Sequence, residues 1–294
     1  MKAFVFDIQR SSFVDGPGIR TTVFFKGCVL RCKWCHSPES QSPAPQLMFY
    51  KEKCIGCKRC AAVCPTELSG CTNCGKYAAV CPTELSGCTN CGKCAAVCPS
   101  RARVMCGRFY TEDEIAETVL KDRIFYDTSG GGVTFSGGEC LLQTDFILSL
   151  AERLKKEKIN TAIDTAGFVP REQLEKAASA ADIFLYDLKC ISEDLHTAGT
   201  GFSNKLILEN LTYLSENFPG DIIIRIPIIP GFNDSDAELL KMRSFLDGIN
   251  YKKIELLAYH SMAKSKYEAL SKEFTNFPVP DEALIEKCQR ILRV

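Results

Sequence analysis

The sequence has little that would mark a membrane, secreted or nucleic-acid-tracking protein. It contains no apolar run near the roughly 18 residues of a transmembrane helix. Residues 1–10 carry no apolar stretch with a small-residue cleavage site, as a signal peptide would. Lys and Arg number 36 and Asp and Glu number 36, so no excess charge favours extended binding to nucleic acid or anionic lipid. Its 294 residues, 46% hydrophobic and 24% charged, predict one or two ordinary globular domains.

Cysteine, by contrast, is abundant, with 18 residues in 294. Most of the cysteines lie in tight C-x-x-C runs, whose members cannot easily bridge one another and are typical of metal or cluster ligands. The cytosol keeps such thiols reduced. We therefore expect a cytoplasmic protein whose cysteines bind iron-sulfur clusters rather than forming disulfides.

Short apolar runs alternate with amphipathic stretches, which predicts a parallel sheet covered by helices. The predicted strands are residues 21–25, 132–135, 161–164, 183–187, 222–226 and 254–257. The predicted helices are residues 111–121, 145–156, 172–180, 204–216 and 236–246. Six β/α units are too few for a closed eight-stranded barrel. We therefore predict an α/β fold with a partial, TIM-like (β/α)6 barrel.

Residues 50–108 interrupt this pattern and hold 12 of the 18 cysteines. We predict that residues 1–49 and 109–294 form the barrel, and that residues 50–108 form a ferredoxin-like iron-sulfur insert. In barrels of this kind the chemistry gathers at the C-terminal ends of the strands, so the polar residues that follow the predicted strands are candidates for the site.

Three cysteines follow the first predicted strand. Cys28, Cys32 and Cys35 have the spacing C-x3-C-x2-C, and Trp34 directly precedes the last of them. Three thiolates can hold three irons of a [4Fe–4S] cluster and leave the fourth iron open for a small molecule. A zinc site is the alternative, but structural zinc takes four ligands. The spacing therefore favours the cluster.

Together with other segments, this motif resembles the radical S-adenosylmethionine (radical SAM) superfamily. More closely, the chain resembles the glycyl-radical-enzyme activating enzymes, relatives of pyruvate formate-lyase activase. The resemblance covers residues 1–49 and 109–294. Besides the cysteine motif, it rests on DGPGIRT at 15–21, HSPES at 36–40, SGGGV at 129–133, SGGE at 136–139, DTAG at 164–167, DLK at 187–189, Arg225 with Pro230 and Gly231, and LLAYH at 256–260.

The resemblance implies an oxidoreductase in which Cys28, Cys32 and Cys35 hold the catalytic cluster and SAM binds the open iron. One electron would cleave SAM to methionine and a 5′-deoxyadenosyl radical, which would install a glycyl radical on a partner glycyl radical enzyme. A flavodoxin or ferredoxin would supply the electron, and we expect a monomer. The sequence does not identify the partner. A radical SAM enzyme acting on a small molecule, and an electron-transfer ferredoxin with a barrel attached, are the alternatives.

The resemblance also implies roles for single residues. Those expected at the cofactor are Trp34, His36, Gly137, Gly138, Glu139, Asp164, Asp187, Lys189 and His260, and Asp164 is also a candidate ligand for a monovalent cation. Those expected near the partner's glycine loop are Asp15, Arg20, Arg225 and His260. Plainer interpretations stay open: a glycine-rich helix start at 137–138, a mutual Asp187–Lys189 ion pair, and a simple turn at 15–20. We expect Cys140 to be a buried thiol and His196 to be a structural loop residue.

The insert contains two complete runs of the form C-x2-C-x2-C-x3-C-P, at residues 54–65 and 88–99. In two-cluster ferredoxins the fourth cysteine of each run binds the other cluster. We therefore assign one auxiliary [4Fe–4S] cluster to Cys54, Cys57, Cys60 and Cys98. We assign the second to Cys88, Cys91, Cys94 and Cys64. The chain would then hold three clusters, of which the auxiliary pair delivers electrons to the first.

A repeat complicates this assignment. Residues 61–77 and 78–94 match except at Tyr77 and Cys94, which we interpret as a recent tandem duplication or an error of sequence assembly. Because a phenol is a poor cluster ligand, we do not expect a third complete site there. Ligation by Cys71, Cys74 or Cys81 stays open.

Overall fold

The computed structural model describes residues 1–65 and 88–294. The strands within these residues are β1 (Lys2–Ser12), β2 (Arg20–Phe25), β3 (Gln46–Phe49), β4 (Arg103–Cys106), β5 (Arg108–Thr111), β6 (Gly132–Gly137), β7 (Asn160–Thr165), β8 (Ile183–Asp187), β9 (Asp221–Ile228) and β10 (Lys253–Ala258). The interpretations placed on Cys71, Cys74, Tyr77 and Cys81 lie outside the described residues and stay predictions.

Helices connect and cover the strands. They are α1 (Arg59–Ala62), α2 (Lys93–Ala96), α3 (Glu112–Leu120), α4 (Arg123–Ser129), α5 (Thr144–Lys156), α6 (Arg171–Ala180), α7 (Glu193–Thr200), α8 (Lys205–Asn217), α9 (Asp236–Leu246), α10 (Lys264–Ala269) and α11 (Glu282–Leu292). Across the two described ranges, none of the helices has the length and apolar character needed to cross a membrane.

The main sheet has eight strands in the order β10-β9-β8-β7-β6-β2-β1-β5. The six strands from β10 to β2 pair in parallel, each with its neighbour. Each of them overlaps a predicted strand, so the six β/α units of the partial barrel are confirmed. The prediction succeeds because strands buried on both faces read as short apolar runs.

The two faces of the sheet are packed differently. Phe184 and Tyr186 of β8 belong to the large core shared with the helices, whereas Ile183 and Leu185 belong to a small cluster with Ala162 and Ile223. This alternation follows from the period of two residues along a strand. The small cluster lies on the inner face of the open barrel, on the same strands whose ends carry the site.

Sequence reasoning missed the antiparallel edge of the sheet. β1 pairs with β2, and β5 pairs with β1, but neither strand is a continuous apolar run. It also missed the strands β3 and β4 and the helices α1, α2, α4, α7, α10 and α11. His196, expected in a loop, lies within α7, whose short sequence with glycine and threonine gives a weak helical signal.

A two-stranded antiparallel sheet lies where the chain enters and leaves the predicted insert. β3 pairs antiparallel with β4, so the chain enters and leaves the cysteine-rich region side by side. The predicted boundaries of the insert, residues 50 and 108, separate these two paired strands: β3 lies outside the insert and β4 lies inside it. The boundaries therefore stay a prediction.

The loop between β1 and β2 packs against the start of β6 through glycines. The Ile19 amide donates to Ser129 Oγ at 2.8 Å. A Cβ on Gly131 would lie 1.9 Å from the Ile19 carbonyl oxygen, and one on Gly18 would lie 2.5 Å from the Gly131 nitrogen. No side chain fits at this contact, which fixes the position of residues 15–20.

We predict that Gly131→Ala destabilises the fold by about 3 kcal/mol, because the added methyl group must push two backbones apart. Gly130→Ala is the matched control. A Cβ there meets nothing within 4 Å, so only its positive φ should cost about 1 kcal/mol. Urea unfolding with an unchanged m-value measures both, and equal losses in the two variants would contradict the steric explanation.

Candidate functional site

The loop that follows β2, residues 26–41, carries the three closely spaced cysteines, and we call it the cluster loop. Burial, together with Glu139 and the other two thiols, raises the pKa of Cys28 to about 12. Burial also raises the pKa of Cys32 to about 12, against the opposing charge of Lys189, and burial raises the pKa of Cys35. The thiols thus lie near one another in a site that would hold thiolates only with a compensating positive charge, such as bound iron.

The donor set of three thiols on one loop could hold a four-iron cluster. None of the three cysteines forms a disulfide. Within residues 1–65 and 88–294, no three His, Cys, Asp or Glu side chains converge on one point that could hold a metal ion. In a four-iron cluster each thiolate binds a different iron, so its ligands need not converge. Three thiols could bind three of the four irons and would leave the fourth open.

The end of α7 supports the cluster loop. The amides of Arg31 and Lys33 donate to the carbonyls of Thr200 and Gly199 at 2.8 and 3.0 Å. The ring of Trp34 packs on Phe232 at 4.3 Å between centroids. Trp34 is therefore buried in an aromatic cluster, and this placement favours support of the loop, whereas contact with the cofactor stays a prediction.

The glycines at the end of β6 have a packing reason. A Cβ on Gly137 would lie 2.2 Å from the Phe25 carbonyl oxygen, and one on Gly138 would lie 2.3 Å from the Gly27 carbonyl oxygen. Gly137 also has a φ of +118°. These residues let the end of β6 touch the start of the cluster loop, which brings Glu139 beside Cys28.

Glu139 is buried and accepts three hydrogen bonds. Thr165 Oγ1 donates to it at 2.7 Å, the Ala166 amide at 3.2 Å and the Leu141 amide at 3.3 Å. Burial raises its pKa to about 7, against these donors. The sequence places Thr165 among the polar residues at the strand ends, in the DTAG segment, but gives it no role of its own. The carboxylate is thus held in place, with a charge that can change near neutral pH.

Charged side chains lie at the ends of β7 and β8 and on the neighbouring part of β9, where Arg225 is paired in register with Asp187. Asp187 pairs with Lys189 at 3.0 Å, which is the ion pair that the sequence left as an alternative. Asp164 pairs with Arg225 at 3.2 Å and accepts from Ser136 Oγ at 2.6 Å. Burial raises the pKa of Asp164 to about 6, although Arg225 opposes this. The structure therefore places three of the predicted cofactor residues, Asp164, Asp187 and Lys189, close to Arg225.

Lys189 is held over the cluster loop by its surroundings. Burial lowers the pKa of Lys189, but Asp187 and the thiols of Cys32 and Cys28 raise it by more than burial lowers it. The pKa of Lys189 therefore lies above its usual value. Asn233 fixes the backbone here by donating to the Lys189 carbonyl at 2.8 Å. Sequence reasoning missed Asn233, though it directly follows the Pro230–Phe232 segment.

Asp15 and Arg20 both point into the barrel. Asp15 Oδ2 accepts from Ser12 Oγ at 2.6 Å and from Thr22 Oγ1 at 2.7 Å. Arg20 is fully buried, and its guanidinium donates to Thr134 Oγ1 at 2.7 Å and to the Val133 carbonyl at 2.9 Å. Arg20 has no exposed surface for direct contact with a partner, so its placement favours an internal role in holding residues 15–20.

The three histidines lie in two different places. His36 and His260 meet edge to face, with ring centroids 4.5 Å apart. His196 is buried, and its Nδ1 lies 2.6 Å from the Phe202 carbonyl oxygen, in keeping with a structural role. Cys140 is buried as expected, and its Sγ donates to the Asp164 carbonyl.

The two ferredoxin-type runs have matching backbones. Gly56 and Lys58 flank the second cysteine of one run, and Asn90 and Gly92 flank that of the other; all four have positive φ. Each run then enters a four-residue helix, α1 or α2. Cys54 and Cys98 pack against the same two residues, Phe49 and Ala102. The two runs are thus equivalent in backbone conformation. Cys98, the last cysteine of the second run, lies near Cys54, the first cysteine of the first run.

Three family models match parts of the chain. The family model for the Radical SAM superfamily matches residues 69–242. Models described as a 4Fe-4S single cluster domain and a 4Fe-4S binding domain match residues 14–55 and 47–68.

Curated relatives match along nearly the whole chain. The trans-4-hydroxy-L-proline dehydratase activating enzyme of Clostridioides difficile is 44% identical over 296 residues, which cover 99% of this chain and 96% of that protein. The choline trimethylamine-lyase activating enzyme of Oleidesulfovibrio alaskensis is 41% identical over 298 residues, covering 99% and 95%. A solved radical SAM methyltransferase from Sphaerobacter thermophilus is similar in fold, with a TM-score of 0.50 and 16% identity over 63% of this chain and 55% of that one.

Proposed function

This chain belongs to the radical SAM superfamily and, within it, to the activating enzymes of glycyl radical enzymes, and from this premise we propose which of its residues perform the activation and on which partner. The observation that carries the proposal is the gathering of Cys28, Cys32 and Cys35 beside Glu139 and Lys189, at the C-terminal ends of parallel strands.

The three cysteines of the cluster loop would hold a [4Fe–4S] cluster. When bound, this group supplies the electron that cleaves SAM and so generates the radical that takes a hydrogen atom from glycine. The chain's own residues bind SAM, orient it and enclose the reacting groups. Glu139 offers a carboxylate to the SAM ammonium group, and Lys189 offers an ammonium group to the SAM carboxylate. Asp187, which pairs with Lys189, faces SAM as well, and Asp164 offers an oxygen to a monovalent cation or to the cofactor.

We predict that Glu139→Gln weakens SAM binding at least tenfold, because a hydrogen bond to a charged group is worth about 1.5–3 kcal/mol. The pKa of about 7 means that the carboxylate form increases as pH rises through 7. SAM affinity of the native protein should therefore rise between about pH 6 and 8, and that of the variant should be low and flat.

Anaerobic equilibrium binding of SAM measures this, with Glu152→Gln, which changes an exposed residue of α5, as the control. A weakened Glu139→Gln protein that kept the native pH dependence would contradict a direct role for the carboxylate.

The insert would hold two auxiliary clusters, with the ligands Cys54, Cys57, Cys60 and Cys98 for one and Cys88, Cys91, Cys94 and Cys64 for the other. Two observations support this: the matching backbones of the runs and the packing of Cys54 and Cys98 on the same residues. We propose that this pair passes electrons from a flavodoxin or ferredoxin to the cluster loop, and that the enzyme acts as a monomer in the cytoplasm.

For the partner, we propose a glycyl radical enzyme of the hydroxyproline dehydratase or choline lyase type, on the strength of the two relatives named above. The test is to mix the reduced enzyme and SAM with each candidate partner and to record the glycyl radical by electron paramagnetic resonance (EPR). A partner whose radical glycine is replaced by alanine is the control. If SAM is cleaved but no partner in the panel gains a radical, while a small molecule is consumed, the alternative of a small-molecule substrate is favoured.

A further inference from the structure

Three side chains from residues 266–272 bind the cluster loop just after its last ligand. The donors come from α10 and from the turn that follows it. Their contacts are Tyr267 Oη to the Cys35 carbonyl at 3.1 Å, Lys266 Nζ to the His36 carbonyl at 3.4 Å, and Lys272 Nζ to the Pro38 carbonyl at 3.0 Å. Each donor takes a different carbonyl of one short backbone stretch. Together they tie the loop to a segment more than 200 residues away in sequence.

The two lysines differ in how their charge is used. Lys266 pairs with Glu39 at 2.6 Å, and Glu39 is only 5% exposed, so this charge is matched locally. Lys272 donates to the Pro38 carbonyl and to Gln41 Oε1 at 2.9 Å, which are both uncharged. Among the described residues Lys272 forms no salt bridge. It lies within electrostatic reach of the Cys35 thiol, of the Arg31 guanidinium and of the already paired Glu39.

A cation in this position acts on the electron affinity of the loop's cluster. Reduction adds one negative charge to the cluster, and a nearby positive charge in a partly buried site stabilises that added charge. Net charge, hydrogen bonding and exposure are the properties through which a protein sets the potential of an iron-sulfur cluster. Lys272 adds a positive charge near the cluster loop, and no carboxylate forms a salt bridge with that charge among the described residues.

We propose that Lys266, Tyr267 and Lys272 clamp the cluster loop and that the charge of Lys272 raises the reduction potential of the SAM-binding cluster. These are positioning residues, since they act through the loop and do not touch the reacting atoms. The inference rests on the proposed assignment of Cys28, Cys32 and Cys35 as the ligands of that cluster.

The test is an anaerobic redox titration of the whole protein followed by EPR, with and without SAM. Only the cluster with an open iron should change its signal when SAM is added, so this change identifies the relevant cluster. Lys272→Gln removes the charge but keeps an amide donor. It should lower the equilibrium constant for reduction about tenfold, which moves the midpoint about 59 mV in the negative direction.

Two variants make the result specific. Lys272→Arg keeps the charge and should restore the equilibrium constant to within about threefold of the native value. Lys264→Gln removes the same charge from an exposed position on α10 and should leave the midpoint unchanged. An unshifted midpoint in Lys272→Gln, or an equal shift in Lys264→Gln, would overturn the proposal.

Tyr267→Phe tests the clamp separately, because it removes only the hydroxyl that holds the Cys35 carbonyl. Iron of the SAM-sensitive cluster should be lost to a chelator several-fold faster than in the native protein, and an unchanged rate would overturn the clamp. If Lys272→Gln loses this cluster altogether, retention by Lys272→Arg supports the proposal, and loss by both variants overturns it. Failure of the underlying ligand assignment has a different signature: the native protein itself would show no SAM-sensitive signal.

Discussion

Replacing Cys28 with alanine should abolish SAM cleavage and remove about four of the roughly 12 irons expected for three [4Fe–4S] clusters. The two remaining thiols, Cys32 and Cys35, cannot hold a cluster that needs three protein ligands and one open iron. Iron analysis and the measurement of 5′-deoxyadenosine after anaerobic reconstitution check both parts. The expected loss of activity is complete because the cluster that these three cysteines would hold is the group that supplies the electron to SAM.

A matched control is available in Cys288→Ala. Cys288 is a buried thiol of α11, so this variant loses a cysteine without losing a proposed ligand, and it should keep its iron and its activity. A Cys28→Ala protein that still makes 5′-deoxyadenosine would show that the catalytic cluster has been assigned to the wrong cysteines.

Replacing Asp15 with alanine should reduce the formation of the partner's glycyl radical at least tenfold, about 1.4 kcal/mol in transition-state stabilisation, while SAM cleavage stays within about twofold. Asp15 lies inside the open barrel, within electrostatic reach of Arg225 and Asp164. Its hydrogen bonds go to Ser12 and Thr22, not to the cluster loop. The charge of Asp15 should therefore affect the binding of the partner's glycine loop rather than the cleavage of SAM at the cluster.

Both reactions have to be measured on the same preparation, by EPR for the glycyl radical and by chromatography for 5′-deoxyadenosine. Ser12→Ala removes one hydrogen bond to Asp15 but keeps the carboxylate, so it should leave both rates near the native values. Equal losses of the two reactions in Asp15→Ala would end the division of roles. Arg225 is a less selective probe than the resemblance implies, because its pairing with Asp164 links it to the cofactor side.

The site could be predicted only where it depends on local sequence. The spacing of Cys28, Cys32 and Cys35 predicts that they share one loop. The glycines at 137 and 138 indicate that another group approaches the backbone closely there. The sequence did not show what approaches: the structure puts the Phe25 and Gly27 carbonyls there. Nor could it show that Trp34 and Arg20 are buried among their neighbours, since an aromatic ring or a guanidinium near a motif is equally compatible with binding and with packing.

The sequence by itself determined the six parallel strands, the three-thiol loop and the two ferredoxin-type runs, because apolar periodicity and ligand spacing act between residues close along the chain. Tertiary structure alone decided the pairing of Asp164 with Arg225, the burial of Arg20 and the contact of Tyr267 with the Cys35 carbonyl, 232 residues away. Such contacts depend on which strands become neighbours in the sheet and on how α10 packs against the cluster loop. They arise from the burial of the whole core, and no short stretch of sequence encodes them.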